Sequence, residues 1–359
     1  MTSSPSHILS AYGWNGDLEH AFAPYRETGL VPARIAAVDR GRCDAITETG
    51  PVRADTAPVA SPDPKQAPCT GDWAALNAGE RPAITALLPR RTALVRATVS
   101  RDSHGQVLAA NIDTVAVTLS LTARFAAGRV ERLLALAWES GARPVIVLTK
   151  ADLLADPAAE AALTAAAAAA APGVDVVSCS ASTGTGMDAV TAALTGTIAL
   201  IGPSGAGKST LGNALLGADH LATGAVRETD GRGRHTTVRR ELLPLPGGGV
   251  LIDTPGLRGI GLFDAGEGIR QVFADVEELA GRCRFADCAH ATEPGCAVLA
   301  AIEDGALPAR RLDAYRKLLR ENEWAASRGD ARLRAERSRR RREITRSLRQ
   351  TYTIKGRRR

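Results

Sequence analysis

Nine consecutive residues, Gly202-Pro203-Ser204-Gly205-Ala206-Gly207-Lys208-Ser209-Thr210, carry the strongest chemical signal in the chain. They match G-x-x-x-x-G-K-S/T and lie between an apolar run at 198–201 and a helix-like segment at 208–216. Small residues let successive N–H groups curl around a phosphate, and the helix behind adds the positive end of its dipole. In such a loop Lys208 reaches the β- and γ-phosphates, and the Ser209 hydroxyl is placed to ligate Mg²⁺. A chance glycine-rich turn would not need those flanks. The loop alone leaves the base open, because ATPases, GTPases and small-molecule kinases share it.

Further signals narrow the choice. The run Leu251-Ile252-Asp253-Thr254-Pro255-Gly256 reads as a strand followed by D-x-x-G. There Asp253 would hold Mg²⁺ through water, and the Gly256 N–H would sense the γ-phosphate. Between the two motifs lies Gly233-Arg234-His235-Thr236-Thr237, where one threonine, Thr236 or Thr237, would complete the Mg²⁺ shell. A glutamine that orients water commonly follows the D-x-x-G glycine, but Leu257 stands here. Slow intrinsic hydrolysis is therefore expected. His235 is the nearest candidate to orient or deprotonate the attacking water, against the plainer reading of an ordinary loop histidine.

The base reader is Thr149-Lys150-Ala151-Asp152, a T-K-x-D turn at the end of a strand. Its carboxylate can accept from N1–H and the 2-amino group of guanine, and the lysine stem can cover the ring. Ser178-Cys179-Ser180-Ala181 ends the next strand, and its Ser180-Ala181 turn can donate an N–H to guanine O6. Thr149 stands where asparagine is commoner and usually braces the phosphate loop, so some looseness is expected there. In the usual GTPase order the phosphate loop comes first and these turns come last. Here residues 149–152 and 178–181 precede 202–210 and 253–256, which describes a circular permutation. The chain after the second switch, Asp253–Gly256, then runs straight into the C-terminal module, so γ-phosphate sensing can be passed there.

Cys283-x4-Cys288-x-His290-x5-Cys296 places three thiolates and an imidazole within fourteen residues. Cys₃His closes a tetrahedral shell, so one structural Zn²⁺ is expected, with no open position for catalysis. A redox motif would more usually show C-x-x-C, which this cluster lacks. Cys43, Cys69 and Cys179 are scattered and read as ordinary buried thiols.

The elements that must position these groups alternate. Helix-like 130–140, strand-like 144–148, an alanine-rich helix at 158–171, then strands and helices through 252 describe a doubly wound parallel sheet. Ahead of it, short apolar stretches broken by turns suggest a small β-barrel, interrupted by a Pro-rich run at 51–68. Residues 307–349 read as helical and increasingly Arg-rich. The expected division is an extension (1–29), a small barrel (30–98), a permuted P-loop GTPase (105–262), a zinc-binding helical domain (263–336) and a basic tail (337–359).

Composition fits this plan. The 359 residues are 45% hydrophobic and only 4% aromatic, so aliphatic side chains must fill the cores. No uncharged apolar run reaches the length of a membrane span, and six cysteines are too few for a disulfide scaffold, so a cytoplasmic setting is expected. The net charge of +6 is uneven. Residues 310–359 hold 19 Lys/Arg against 6 Asp/Glu, and the preceding 309 hold 26 against 33. A basic end on an acidic body points to a polyanionic partner, the alternative being a merely solubilising tail.

Together these motifs resemble the ribosome small subunit-dependent GTPase A family (RsgA, also YjeQ). The carriers are the rotated order, GPSGAGKST at 202–210, GRHTT at 233–237, DTPG at 253–256 and the Cys283/Cys288/His290/Cys296 cluster. "LPRR" at 88–91 and "AANID" at 109–113 also look like that family's junction between barrel and GTPase. The resemblance implies an N-terminal OB-fold, a permuted GTPase and a zinc-binding helical domain. It further implies GTP hydrolysis to GDP, stimulated by the small ribosomal subunit during that subunit's late maturation. In the barrel, Trp73 is the one aromatic between residues 31 and 94. Phosphate contacts from Arg34, Arg40, Arg42, Arg90 and Arg91 are therefore expected there in place of base stacking. A metabolite kinase would leave the metal cluster and basic tail without a role, and a GTP-gated protein adaptor is the third reading. With no heptad pattern, a monomer is expected.

Overall fold

The computed structural model describes residues 7–97, 105–221, 240–253 and 264–329. Two helices, α1 (His7–Ala11) and α2 (Gly16–Arg26), come first. Asn15 starts α2 by accepting the Leu18 N–H at 3.0 Å. Five strands follow: β1 (Val31–Asp39), β2 (Arg42–Thr47), β3 (Gly50–Asp55), β4 (Trp73–Asn77) and β5 (Ala83–Leu87). They close into a barrel in the order β1-β2-β3-β5-β4, with β3 and β5 parallel where Asp55 meets Ala83. This is the OB arrangement. Small inward residues (Ala33, Ala45, Ala54, Ala74) with Ile35, Leu76 and Ile84 fill it, so aromatics are not needed inside. β6 (Ala93–Ala97) and β7 (Gly105–Ala110) pair with each other as a separate two-stranded sheet. The expected barrel range of 30–98 thus takes in one strand that pairs elsewhere.

The third sheet is built from β8 (Thr114–Ser120), β9 (Arg143–Thr149), β10 (Asp175–Ser178), β11 (Thr197–Ile201), β12 (Leu242–Pro244) and β13 (Val250–Ile252). Its order is β10-β9-β8-β11-β13-β12, parallel except for the β12–β13 pair. Helices α3 (Ala127–Glu139), α4 (Pro157–Ala170), α5 (Met187–Ala193) and α6 (Lys208–Leu216) are its crossovers. The polyalanine stretch is α4; Asp156 caps it by accepting the Ala158 N–H, and Pro157 takes the first turn.

The C-terminal module consists of α7 (Gly266–Val272), α8 (Ala274–Ala280), α9 (Ala297–Glu303) and α10 (Ala309–Gly329). α7 packs directly on α3, and a Cβ at Gly268 would lie 2.0 Å from the Ala135 carbonyl oxygen. Only glycine permits that approach. A buried ion cluster joins the same elements. Glu131 of α3, 0% exposed, accepts from Arg311 at 3.0 Å and Arg310 at 3.1 Å. Arg311 also grips the Asp275 carboxylate at 2.7 and 3.0 Å and the Val272 carbonyl at 2.9 Å, with its guanidinium over the Phe273 ring. Residues this costly to bury fix one arrangement, because removing either partner strands a charge away from water.

Two barrel arginines read as phosphate contacts turn inward. Arg90 clamps the buried Asp72 carboxylate at 2.6 and 2.7 Å and the Ala67 carbonyl at 2.7 Å, which secures the Pro-rich loop. Arg34 is 1% exposed. Its guanidinium lies 4.8 Å from the Trp73 ring and donates to the Tyr12 carbonyl, to the Asn111 carbonyl at 3.2 Å and to the Thr197 hydroxyl at 2.8 Å. Extension, barrel and GTPase sheet therefore meet on one side chain. Burial lowers its pKa to about 10, which leaves it charged at neutral pH. Trp73 is covered in turn by Trp14, 5.0 Å away edge-on. Arg40 and Arg42 are exposed at the β1–β2 turn, and Arg91 pairs with Asp113 at 3.1 Å. Replacing Arg34 with Ala leaves these acceptors unpaired beside a cavity. Chemical denaturation should show a loss of about 3 to 5 kcal/mol.

Candidate functional site

β11 and β13 pair in parallel, Ala199 with Ile252, so the 202–210 loop and Asp253 leave the same edge of the sheet. Gly202 has φ 152°, and a Cβ there would lie 2.2 Å from the Thr118 carbonyl oxygen, so the loop can begin only with glycine. Pro203 is half-buried, Ser204 and Gly205 are exposed and Ala206 is buried beneath them. Gly207 caps α6, which places Lys208, Ser209 and Thr210 in the first helical turn. The Lys208 ammonium donates to the Gly202 and Pro203 carbonyls, each at 2.9 Å, at the mouth of the loop. The Asp253 N–H donates to the Glu241 carbonyl at 2.9 Å, which holds the start of D-x-x-G to the neighbouring strand.

Both base-reading turns open on that edge too. β9 and β10 are parallel neighbours, and Ala151 N–H donates to the Cys179 carbonyl at 3.1 Å, locking the turns side by side. Lys150 has φ 64°, which turns the chain so that Asp152 stands exposed beyond it. Ser180 is buried; its hydroxyl oxygen accepts the Thr183 N–H at 3.2 Å and its own N–H meets the Thr185 carbonyl at 2.8 Å, so Ala181 sits in a closed turn. Thr149 is not loose. Its buried hydroxyl donates to the Ala206 carbonyl at 2.6 Å and lies 3.2 Å from the Leu119 carbonyl. It braces the phosphate loop with a shorter side chain than asparagine, and a Cβ at Gly207 would lie 3.2 Å from its hydroxyl oxygen.

The second cluster lies between α8 and α9. The donor atoms of Cys283, Cys288, His290 and Cys296 all fall within 4.8 Å of one another, the one such group among the described residues. Cys283 and Cys296 sulfurs are 3.8 Å apart, and His290 Nδ1 is 3.6 Å and 3.4 Å from them. Bonds of about 2.3 Å to sulfur and about 2.0 Å to nitrogen, set tetrahedrally, give edges of roughly 3.5 to 3.8 Å. The donor set and its spacing fit a metal ion. Two residues that the sequence did not point to shape the loop. Glu293 accepts from Ala289, Ala291 and Thr292 N–H at 3.1, 2.7 and 3.0 Å. Its own N–H and these amides hold its carboxyl down at about 2. Arg316 of α10 donates to the Ala289 and His290 carbonyls at 3.1 and 2.6 Å.

This geometry agrees with what known proteins show. A family model described as RsgA GTPase matches residues 87–263. The Small ribosomal subunit biogenesis GTPase RsgA of Streptomyces coelicolor is 57% identical over 342 residues, covering 94% of this chain and 93% of its own length. The chain belongs to the RsgA GTPase family. An RsgA 2 from Lactiplantibacillus plantarum is 45% identical, covering 82% of this chain and 84% of its own. Among solved structures, YjeQ from Thermotoga maritima superposes with a TM-score of 0.60 at 23% identity, over 81% of this chain and 98% of that one. YloQ, described as a circularly permuted GTPase, gives 0.59 at 23%, over 81% and 94%. The fold is thus an OB-like barrel, a circularly permuted GTPase and a C-terminal helical region bearing a Cys₃His cluster.

Within this RsgA framework His235, Thr236, Thr237 and Gly256 lie outside the described residues, as does the tail at 337–359. Sequence reasoning also missed the pairing of Ser178 with Glu160 of α4, which steadies the second base-reading turn. The two residues are eighteen positions apart on different elements, and no local pattern marks them. Thr149→Val removes the bracing hydroxyl at nearly constant shape and strands the Ala206 carbonyl. Fluorescent-nucleotide titration should read about tenfold weaker GDP binding, one lost buried hydrogen bond.

Proposed function

We propose that this protein hydrolyses GTP to GDP and phosphate while bound to the small ribosomal subunit, assisting a late step of its maturation. One observation carries the reading. The phosphate loop and both base-reading turns emerge on one sheet edge in rotated chain order, in a chain 57% identical to a small ribosomal subunit biogenesis GTPase. In this reading residues 202–210 wrap the phosphates and Lys208 exchanges its two loop carbonyls for β- and γ-phosphate oxygens. Asp152 reads N1–H and the 2-amino group of guanine, the Lys150 stem covers the ring and Ala181 donates to O6. Gly256 senses the γ-phosphate. Ser209, Asp253 and Thr236 or Thr237 form a hard oxygen set of the kind Mg²⁺ takes, and Mg²⁺ would offset the charge of the phosphates. With Leu257 in place of a water-orienting side chain, His235 orients the attacking water and intrinsic turnover is slow.

The polyanion is ribosomal RNA. Residues 337–359 hold 11 Lys/Arg against one Glu, and Arg40 and Arg42 are exposed on the barrel. No helix of the described residues is long and apolar enough to cross a membrane, and a monomer in the cytoplasm fits a factor that visits the subunit. Steady-state turnover with and without purified small subunits tests the reading. Wild-type kcat should rise at least about tenfold with subunits, and His235→Ala should remove most of that rise. Removing residues 337–359 should weaken subunit binding and flatten its dependence on salt, since released counterions scale with the phosphates contacted. Equal turnover in both arms would rule the reading out.

The Cys₃His metal is Zn²⁺, with a structural role: its charge would hold three thiolates and His290 in one knuckle. Elemental analysis should find one zinc per chain. Chelation should lower the melting temperature while leaving guanine-nucleotide binding measurable, and Cys288→Ser should reproduce the chelated state.

A further inference from the structure

Each module flanking the GTPase sheet holds the chain just past one of the two nucleotide-sensing motifs. On the barrel side, the Thr70 hydroxyl donates to the Arg240 carbonyl at 3.3 Å, three residues beyond Thr237. On the other side, Asn322 of α10 accepts the Ala265 N–H through Oδ1 at 2.8 Å. Ala265 is 0% exposed and immediately precedes α7. The chain reaches it through Asp264, whose φ of 49° is rarely adopted by residues other than glycine. D-x-x-G begins at Asp253, and Ala265 lies twelve residues further along the chain.

The first N–H groups of a helix have no partner within it. α7 finds one on each flank: Asn322 takes Ala265, and the Glu139 carboxylate of α3 takes the Gly268 N–H at 2.8 Å. Asparagine is a poor helix former in mid-helix, because its side chain competes for nearby backbone groups. At position 322 that side chain instead spans to another element. Arg316, which holds the His290 carbonyl of the metal loop, is six residues earlier on the same helix, about 9 Å along its axis. α10 is thus a single rigid element with one grip on the metal loop and another on the end of the switch.

We propose that Asn322 is a positioning residue for GTP hydrolysis, supplied to the GTPase by the C-terminal module. Its carboxamide fixes where the segment begun at Asp253 ends, so a partner that shifts the metal-bearing module shifts the segment that senses the γ-phosphate. The proposal rests on the subunit-stimulated reading above for its catalytic consequence, but the anchor itself does not.

The test uses the full chain with Asn322→Leu, which keeps the size and loses the acceptor, and Asn322→Asp, which keeps the acceptor. Asn322→Leu should leave GDP affinity within about twofold and lower subunit-stimulated kcat about tenfold, with the half-saturating subunit concentration little changed. Asn322→Asp should restore most of that kcat. A kcat untouched by Asn322→Leu, or the same loss in both variants, overturns the proposal. So does a loss matched by subunit affinity and melting temperature, which a merely structural residue would give. If subunits fail to stimulate the wild type, the functional reading falls and amide exchange decides the anchor alone. Peptides covering residues 265–268 should differ in protection between GDP and a non-hydrolysable GTP analogue in the wild type and lose that difference in Asn322→Leu. A difference of equal size in both proteins overturns the proposal.

Discussion

The parallel pairing of β8 with β9 on one side and β11 on the other is the constraint from which the site follows. β9 leads to the T-K-x-D turn at 149–152 and β11 to the glycine-rich loop at 202–210, so β8 holds the two at strand spacing. Backbone contacts at both joints hold the register. The Thr118 carbonyl leaves no room for anything but glycine at position 202, and the Leu121 N–H donates to the Thr149 carbonyl at 3.0 Å. Because a sheet records which strands are neighbours and not the order in which the chain visits them, the cut could move without disturbing the site. What the permutation changes is what comes after the second switch, and here that is the helical module.

Within that frame, polar groups bear much of the load at the seams. Glu131 and Arg311 join α3 to α10, and Arg90 with Asp72 ties the Pro-rich loop to the barrel. Such pairs add little net stability over a well-packed apolar contact, but they penalise any other arrangement heavily.

The parts of this structure legible from sequence are those whose reasons are local. The phosphate loop, its strand and its helix form one continuous run, so the small residues and Lys208 announce themselves. The Cys₃His spacing is equally compact, and the alternation of strands and helices from β8 onward follows from apolar runs and alanine content. The seams were not legible. Arg34 has partners 22, 77 and 163 residues away, and nothing around it distinguishes an inward arginine from an RNA-facing one. The same holds for Arg90, so the barrel's basic face was overread by two residues. Thr149 is hidden for a different reason: its bracing bond reaches the Ala206 carbonyl, 57 residues along the chain, and no local pattern marks it.

Arg34 also bears on how the molecule comes apart. Strand β1 cannot leave the barrel without stripping the Thr197 hydroxyl and the Asn111 carbonyl at the base of the sheet, and the leading helices lose their Trp73 cover in the same event. Extension, barrel and nucleotide domain should therefore melt as one cooperative block, although the sequence divides them into three.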